Sequence, residues 1–183
     1  MSCSPFILLD DARISDASAA RLYEDPLEIV EARRADEVHS ALARIGELQR
    51  AGRYLAGWIA YEAGLALEPR LMPLADTRTG ASGPLIWFAA FDVYRELTTD
   101  QVPSWLAEHA EGRASIGPLD PALSPGGYAR AFARIQEAIE AGDIYQANLN
   151  FPLSGAFHGD PLALYSAIRD AAGAGYGGVI CVG

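Results

Sequence analysis

The sequence predicts a mixed α/β (α+β) fold, on three observations. Apolar residues recur at steps of three and four in two stretches, Val38 to Leu48 and Tyr128 to Ile139, the period of a helix with one buried face. Aromatic and β-branched runs at Tyr54 to Ala63 and Pro84 to Tyr94 have strand character. Of the 183 residues, 50% are hydrophobic and 21% charged, enough chain and enough apolar surface for one sizeable core.

The elements follow in chain order. Phe6 to Leu9, closed by Asp10 and Asp11, is a short buried strand leaving its sheet at a polar turn. The next 25 residues, polar with scattered apolar positions, predict no element. Val38, Leu42, Ile45 and Leu48 mark one face of a helix that Asp36 can cap and Gly52 can close. Two strands follow, the first interrupted by Gly57, with Glu68 to Gly83 as a loop between them. Glu96 to Pro125 is acidic, contains four prolines and reads as a surface connection with one helical turn near Trp105. Ser124 and Pro125 then open the second long helix, with Tyr128, Phe132, Ile135 and Ile139 on one face and Gly142 as its stop. Asp143 to Phe151 alternates like a strand: Tyr145, Ala147, Leu149 and Phe151 on one face, Ile144, Gln146, Asn148 and Asn150 on the other. Asp160 and Pro161 start a last helix, with Leu164, Tyr165 and Ile168 toward a core. Gly173 to Gly178 is a flexible connection, and Val179 to Val182 begins an apolar strand that ends without a cap or polar tail, the pattern expected of a truncated domain.

Composition excludes several chemistries. All fourteen basic residues are arginine, so Schiff-base and Walker-type lysine chemistry has no residue here. A net charge of -10 without basic clusters argues against nucleic acid and against an anionic membrane surface as partners. Leu85 to Phe91, the longest apolar run, is far short of the ~20 residues that span a bilayer. The two cysteines, Cys3 and Cys181, have no partner at metal or redox spacing, which suits a reducing compartment. Without a positively charged leader before Phe6, the chain is expected to be soluble and cytoplasmic.

Short motifs add little chemistry. Gly173, Gly175 and Gly178 match GxGxxG, but here a helix precedes and a strand follows, the reverse of a dinucleotide site, so they serve as helix stop and turn. His39, His109 and His158 lack ligand spacing and read as solvated side chains. Glu62 and Glu68 read as polar positions at a strand end rather than an acid/base pair. The amide face of Gln146, Asn148 and Asn150 is either a solvated edge or the wall of a polar cavity.

The stretch from Tyr128 to Leu149, with its Gly142-Asp143-Ile144-Tyr145-Gln146-Ala147-Asn148-Leu149 segment, closely resembles the start of the chorismate-binding domain of chorismate-utilising enzymes. Gly57-Trp58-Ile59-Ala60-Tyr61-Glu62-Ala63-Gly64 with Leu67-Glu68-Pro69, and Phe6-Ile7-Leu8-Leu9-Asp10-Asp11, resemble two N-terminal blocks of the same family, in the same order. The division implied is 1–120 as N-terminal region and 121–183 as the beginning of the chorismate-binding domain. The resemblance is closest to aminodeoxychorismate synthases (component I). Anthranilate synthases usually carry an apolar residue where this chain has Asn148; a non-catalytic small-molecule binding or interaction module is the alternative from another class.

What the resemblance implies is a fold of two packed sheets with helices outside, in a chain more than twice this length. It also implies a magnesium ion, chorismate as substrate, and ammonia from a glutamine amidotransferase partner subunit. The family's magnesium ligands and catalytic lysine are expected beyond Gly183, so no catalytic or metal residue is carried over and the chain alone is expected to be inactive. Gln146, Asn148 and Asn150 are implied cavity-lining residues on a strand of the central sheets. Asp11, Gly175 and Tyr176 match positions that line a regulatory amino-acid pocket in related enzymes. Two of them depart from the pattern there, a carboxylate at Asp11 for a small hydroxyl and Gly175 for proline.

Overall fold

A computed structural model of the chain describes residues 4–75 and 83–183. Cys3, and most of the loop expected between Glu68 and Gly83, lie outside the described residues. The chain divides into two compact units, residues 1–109 with 165–183 as unit 1 and residues 110–164 as unit 2. The mixed helix and sheet class is as expected, and every strand pair among the described residues is antiparallel.

Unit 1 holds strands β1 (Phe6–Asp10), β2 (Ala20–Glu24), β3 (Glu28–Ala32), β4 (Tyr54–Ile59), β5 (Ile86–Phe91), β6 (Arg95–Leu97) and β11 (Gly177–Cys181). They form a four-stranded sheet, β11-β1-β2-β6, and a three-stranded sheet, β3-β5-β4. The pleat of β1 explains the layering, because successive side chains point to opposite faces. Ile7 packs with Tyr23, Ala56, Trp87, Ala89 and Phe91 in a core shared by the two sheets. Phe6 instead meets Trp105 of α3 (Gln101–His109), and Asp10 meets Arg169 of α5 (Pro161–Ala172). Helix α1 (Val38–Arg50) covers the outer face of the three-stranded sheet, where Val38, Ala41 and Leu48 pack with Val30, Ala32, Ile86 and Ala90. Two packed sheets with helices outside is therefore the architecture of this unit. At Gly57 a Cβ would collide with the Trp87 carbonyl, so the glycine that interrupts the strand pattern is what lets β4 and β5 approach.

Several local expectations are corrected. The segment read as featureless contains β2 and β3, two five-residue strands whose exposed positions carry Arg21, Ile29 and Glu31. The turn before α1 is organised by Glu37 rather than Asp36: its carboxylate accepts the Arg33 and Arg34 backbone N–H groups at 2.8 and 3.0 Å. The first aromatic strand ends at Ile59, and Ala63 begins the short helix α2 (Ala63–Leu67). A 3₁₀ turn spans Met72–Leu74 in the expected loop. The single turn near Trp105 is the nine-residue helix α3, with Val102, Trp105 and Leu106 buried. In α5, Ile168 is exposed and Leu162 and Arg169 are the buried positions, Arg169 because it meets the Asp10 carboxylate of β1.

Unit 2 contains α4 (Pro125–Glu140) and two ribbons, β7 (Ala114–Ile116) with β10 (Phe157–Gly159) and β8 (Asp120–Pro121) with β9 (Leu153–Ser154). Ser124 caps α4 by accepting the Gly127 N–H at 3.1 Å. Asp160 caps α5 through the Leu162 N–H at 3.2 Å. The strand expected over Asp143 to Phe151 does not form. Alternation produces a strand only where a neighbour accepts the ladder hydrogen bonds, and among the described residues none pairs with this segment.

Candidate functional site

Strand β1 ends at Asp10 and is followed directly by Asp11, and the extended backbone sends the two side chains to opposite faces. Asp10 is buried, and Arg169 grips it with Nε at 2.7 Å from Oδ2 and Nη2 at 3.1 Å from Oδ1. The Tyr165 hydroxyl donates to the same Oδ2 at 2.7 Å. Burial, then the Asp10 carboxylate, pushes the Tyr165 hydroxyl well above its ordinary pKa, and the hydrogen bond to Asp10 keeps Arg169 charged. This trio fastens α5 to the outer face of the four-stranded sheet.

Asp11 faces the other way, into an open cleft of about 510 Å³ lined by Leu9, Asp11, Arg13, Ser18, Arg21 and Tyr176, among others. Arg13 folds back on Asp11 with Nε at 2.9 Å and Nη2 at 2.6 Å. That guanidinium, helped by the Ser18 N–H, holds the Asp11 carboxyl well below the usual carboxylate range. The same bonds tie residues 11–18 into a closed loop, with Arg13 Nη2 also donating to the Asp16 carbonyl at 3.1 Å. Gly175 forms the opposing wall, and a Cβ there would lie 3.0 Å from Arg13 Nε, so glycine at this position leaves room for the guanidinium to lie across it. The structure thus brings Asp11, Gly175 and Tyr176 together in one cleft. Sequence reasoning missed Arg13, Ser18 and Arg21 there; the spacing Asp11-x-Arg13 is the signal that could have pointed to the first.

The amide trio is not a buried wall. Gln146, Asn148 and Asn150 are all exposed, and none of the three side chains has a hydrogen-bond partner among the described residues. Asn148 and Asn150 border a separate groove of about 250 Å³ beside Tyr128, Phe132, Ile135 and Ile139 of α4, and Gln146 does not. All three stand exposed on a segment that has no strand neighbour among the described residues.

Of the remaining polar candidates, Glu62 directly precedes α2 without a capping bond from its side chain, and Glu68 accepts the Arg70 N–H at 3.3 Å, a local structural role. His39 and His158 are exposed, and His109 stacks on Trp105 with Nδ1 2.8 Å from the Trp105 carbonyl oxygen. Among the described residues no group of three or more His, Cys, Asp or Glu side chains is placed to hold a metal ion. No described helix is long and apolar enough to cross a membrane.

No curated protein and no solved structure matches the chain. The family model described as chorismate binding enzyme matches residues 6–181, both described units included, and the chain belongs to that family of enzymes acting on chorismate.

Proposed function

We propose that the chain is a portion of an aminodeoxychorismate synthase component I, which aminates chorismate to 4-amino-4-deoxychorismate for 4-aminobenzoate and folate synthesis. The family match over residues 6–181 carries the reading. Asn148, where the resemblance puts an apolar residue in anthranilate synthases, favours this member. A glutamine amidotransferase subunit would supply the ammonia. The chain's own part is scaffold and binding surface: it has no lysine, and its described residues offer no metal-binding cluster. The unit 1 cleft at Asp11, Gly175 and Tyr176 is its effector pocket.

The natural reading frame that carries this chain should restore growth to a cytoplasmic-expression host requiring 4-aminobenzoate, and not to one requiring tryptophan. Rescue of the tryptophan-requiring host alone would assign anthranilate synthesis, and rescue of neither would assign a non-catalytic binding module. The 183-residue chain alone, given chorismate, magnesium and ammonium, should form no aminated product.

A further inference from the structure

Resting on the reading of the unit 1 cleft as an effector pocket, the distribution of donors and acceptors around it selects a class of ligand. Asp11 has no acceptor capacity left. Its Oδ1 takes the Arg13 backbone N–H at 3.2 Å and Arg13 Nε at 2.9 Å; its Oδ2 takes Arg13 Nη2 at 2.6 Å and the Ser18 N–H at 2.9 Å. These bonds fill the roughly four lone-pair sites of a carboxylate. Asp10, which also borders the cleft, has its carboxylate engaged by Arg169 and Tyr165.

Donors remain. Arg21 makes no ion pair among the described residues: its guanidinium contacts Tyr23 and lies 5.3 Å from the centre of the Tyr94 ring, and the acid in register with it across the sheet is Glu96. Arg13 Nη1 and the Ser18 hydroxyl are likewise without a partner among the described residues. Beside them Leu9 and Ala19 supply apolar wall, and the Tyr176 ring stands fully exposed at the mouth. In a chain of net charge -10, this cleft pairs an apolar wall with a cation that Glu96 attracts across the sheet without closing an ion pair. An ammonium group entering it would find no free carboxylate and two arginines. A carboxylate would find charge-assisted donors.

We infer that the cleft takes a small apolar monocarboxylate bearing no positive charge, with Arg21 as its principal anchor. Three probes with one ring and a two-carbon linker isolate the charge: 3-phenylpropanoate, L-phenylalanine and 2-phenylethylamine. Titrated into the full chain by calorimetry, with amide shifts of Ser18 and Gly177 read by NMR, 3-phenylpropanoate should bind. L-phenylalanine should bind about tenfold more weakly or worse, and the amine not at all. Arg21→Gln should weaken the carboxylate about tenfold with an unchanged circular dichroism spectrum, and Arg21→Lys should recover part of the loss. L-phenylalanine binding as tightly as 3-phenylpropanoate, an Arg21→Gln variant that binds like the parent, or no binding by any probe overturns the inference. If 3-phenylpropanoate binds but leaves chorismate amination by the natural protein unchanged, the ligand class stands and the effector reading falls.

Discussion

Helices α1 and α4 carry the same kind of amphipathic pattern, yet α1 buries Val38, Ala41 and Leu48 while α4 buries no residue at all. The difference lies in what each faces. A three-stranded sheet backs α1, and that sheet packs on a second one, so every layer of unit 1 has something to cover it. Beside α4 there are two two-stranded ribbons and an unpaired segment, and such ribbons are marginal on their own. Among the described residues, Leu162 is the one buried apolar side chain of unit 2, while Tyr128, Phe132, Tyr145, Leu153 and Phe157 stay exposed. An apolar stripe specifies which face a helix will bury; a core forms only when a second layer is present to bury it.

The largest expected effect breaks that contrast directly. Phe91 is 1% exposed in the inter-sheet core, and Phe91→Ala should cost about 4 kcal/mol in denaturant unfolding. Phe132 is 46% exposed, and Phe132→Ala should cost less than about 1 kcal/mol, with the better helix propensity of alanine offsetting part of the lost contact. Equal losses at the two positions would mean that unit 2 has a core comparable to that of unit 1.

A second test separates the buried ion pair of unit 1 from its apolar packing. Arg169→Ala leaves Asp10 buried without its cation and should destabilise the protein by about 3 kcal/mol. The Asp10→Ala/Arg169→Ala double variant should lose less than the sum of the two single variants, because the second change removes the stranded charge. Additive losses would show that Asp10 and Arg169 act independently.

The same contrast explains how much was legible in the sequence. The two long helices, β1, the aromatic strands β4 and β5, and β11 carry their own periodicity or composition, and each appears near its expected place. Strands β2 and β3 were not legible, since a five-residue strand with two charges three residues apart resembles a polar connection until its neighbours are known. The opposite failure occurred at Gln146, Asn148 and Asn150, where a clear alternation lacked a pairing strand. At the cleft, Asp11, Gly175 and Tyr176 came from resemblance, while Arg13 and Arg21 became visible only once the loop over residues 11–18 had closed.

The smallest expected effect concerns that loop. Arg13 and the Ser18 N–H favour the ionised Asp11 in the folded chain, so its pKa lies below the ordinary value of 3.8 there and close to it in the unfolded chain. A depressed folded value contributes stability that is fully present above the unfolded pKa. As the pH falls below that value, the unfolded chain takes up a proton that the folded chain resists, and stability drops. The exposed side of the Arg13 pair limits the gain through solvent screening. Melting temperatures measured over roughly pH 2 to pH 7 should therefore fall more steeply at the acid end for the parent than for Asp11→Asn, which cannot titrate. Parallel curves would place Asp11 outside the acid response.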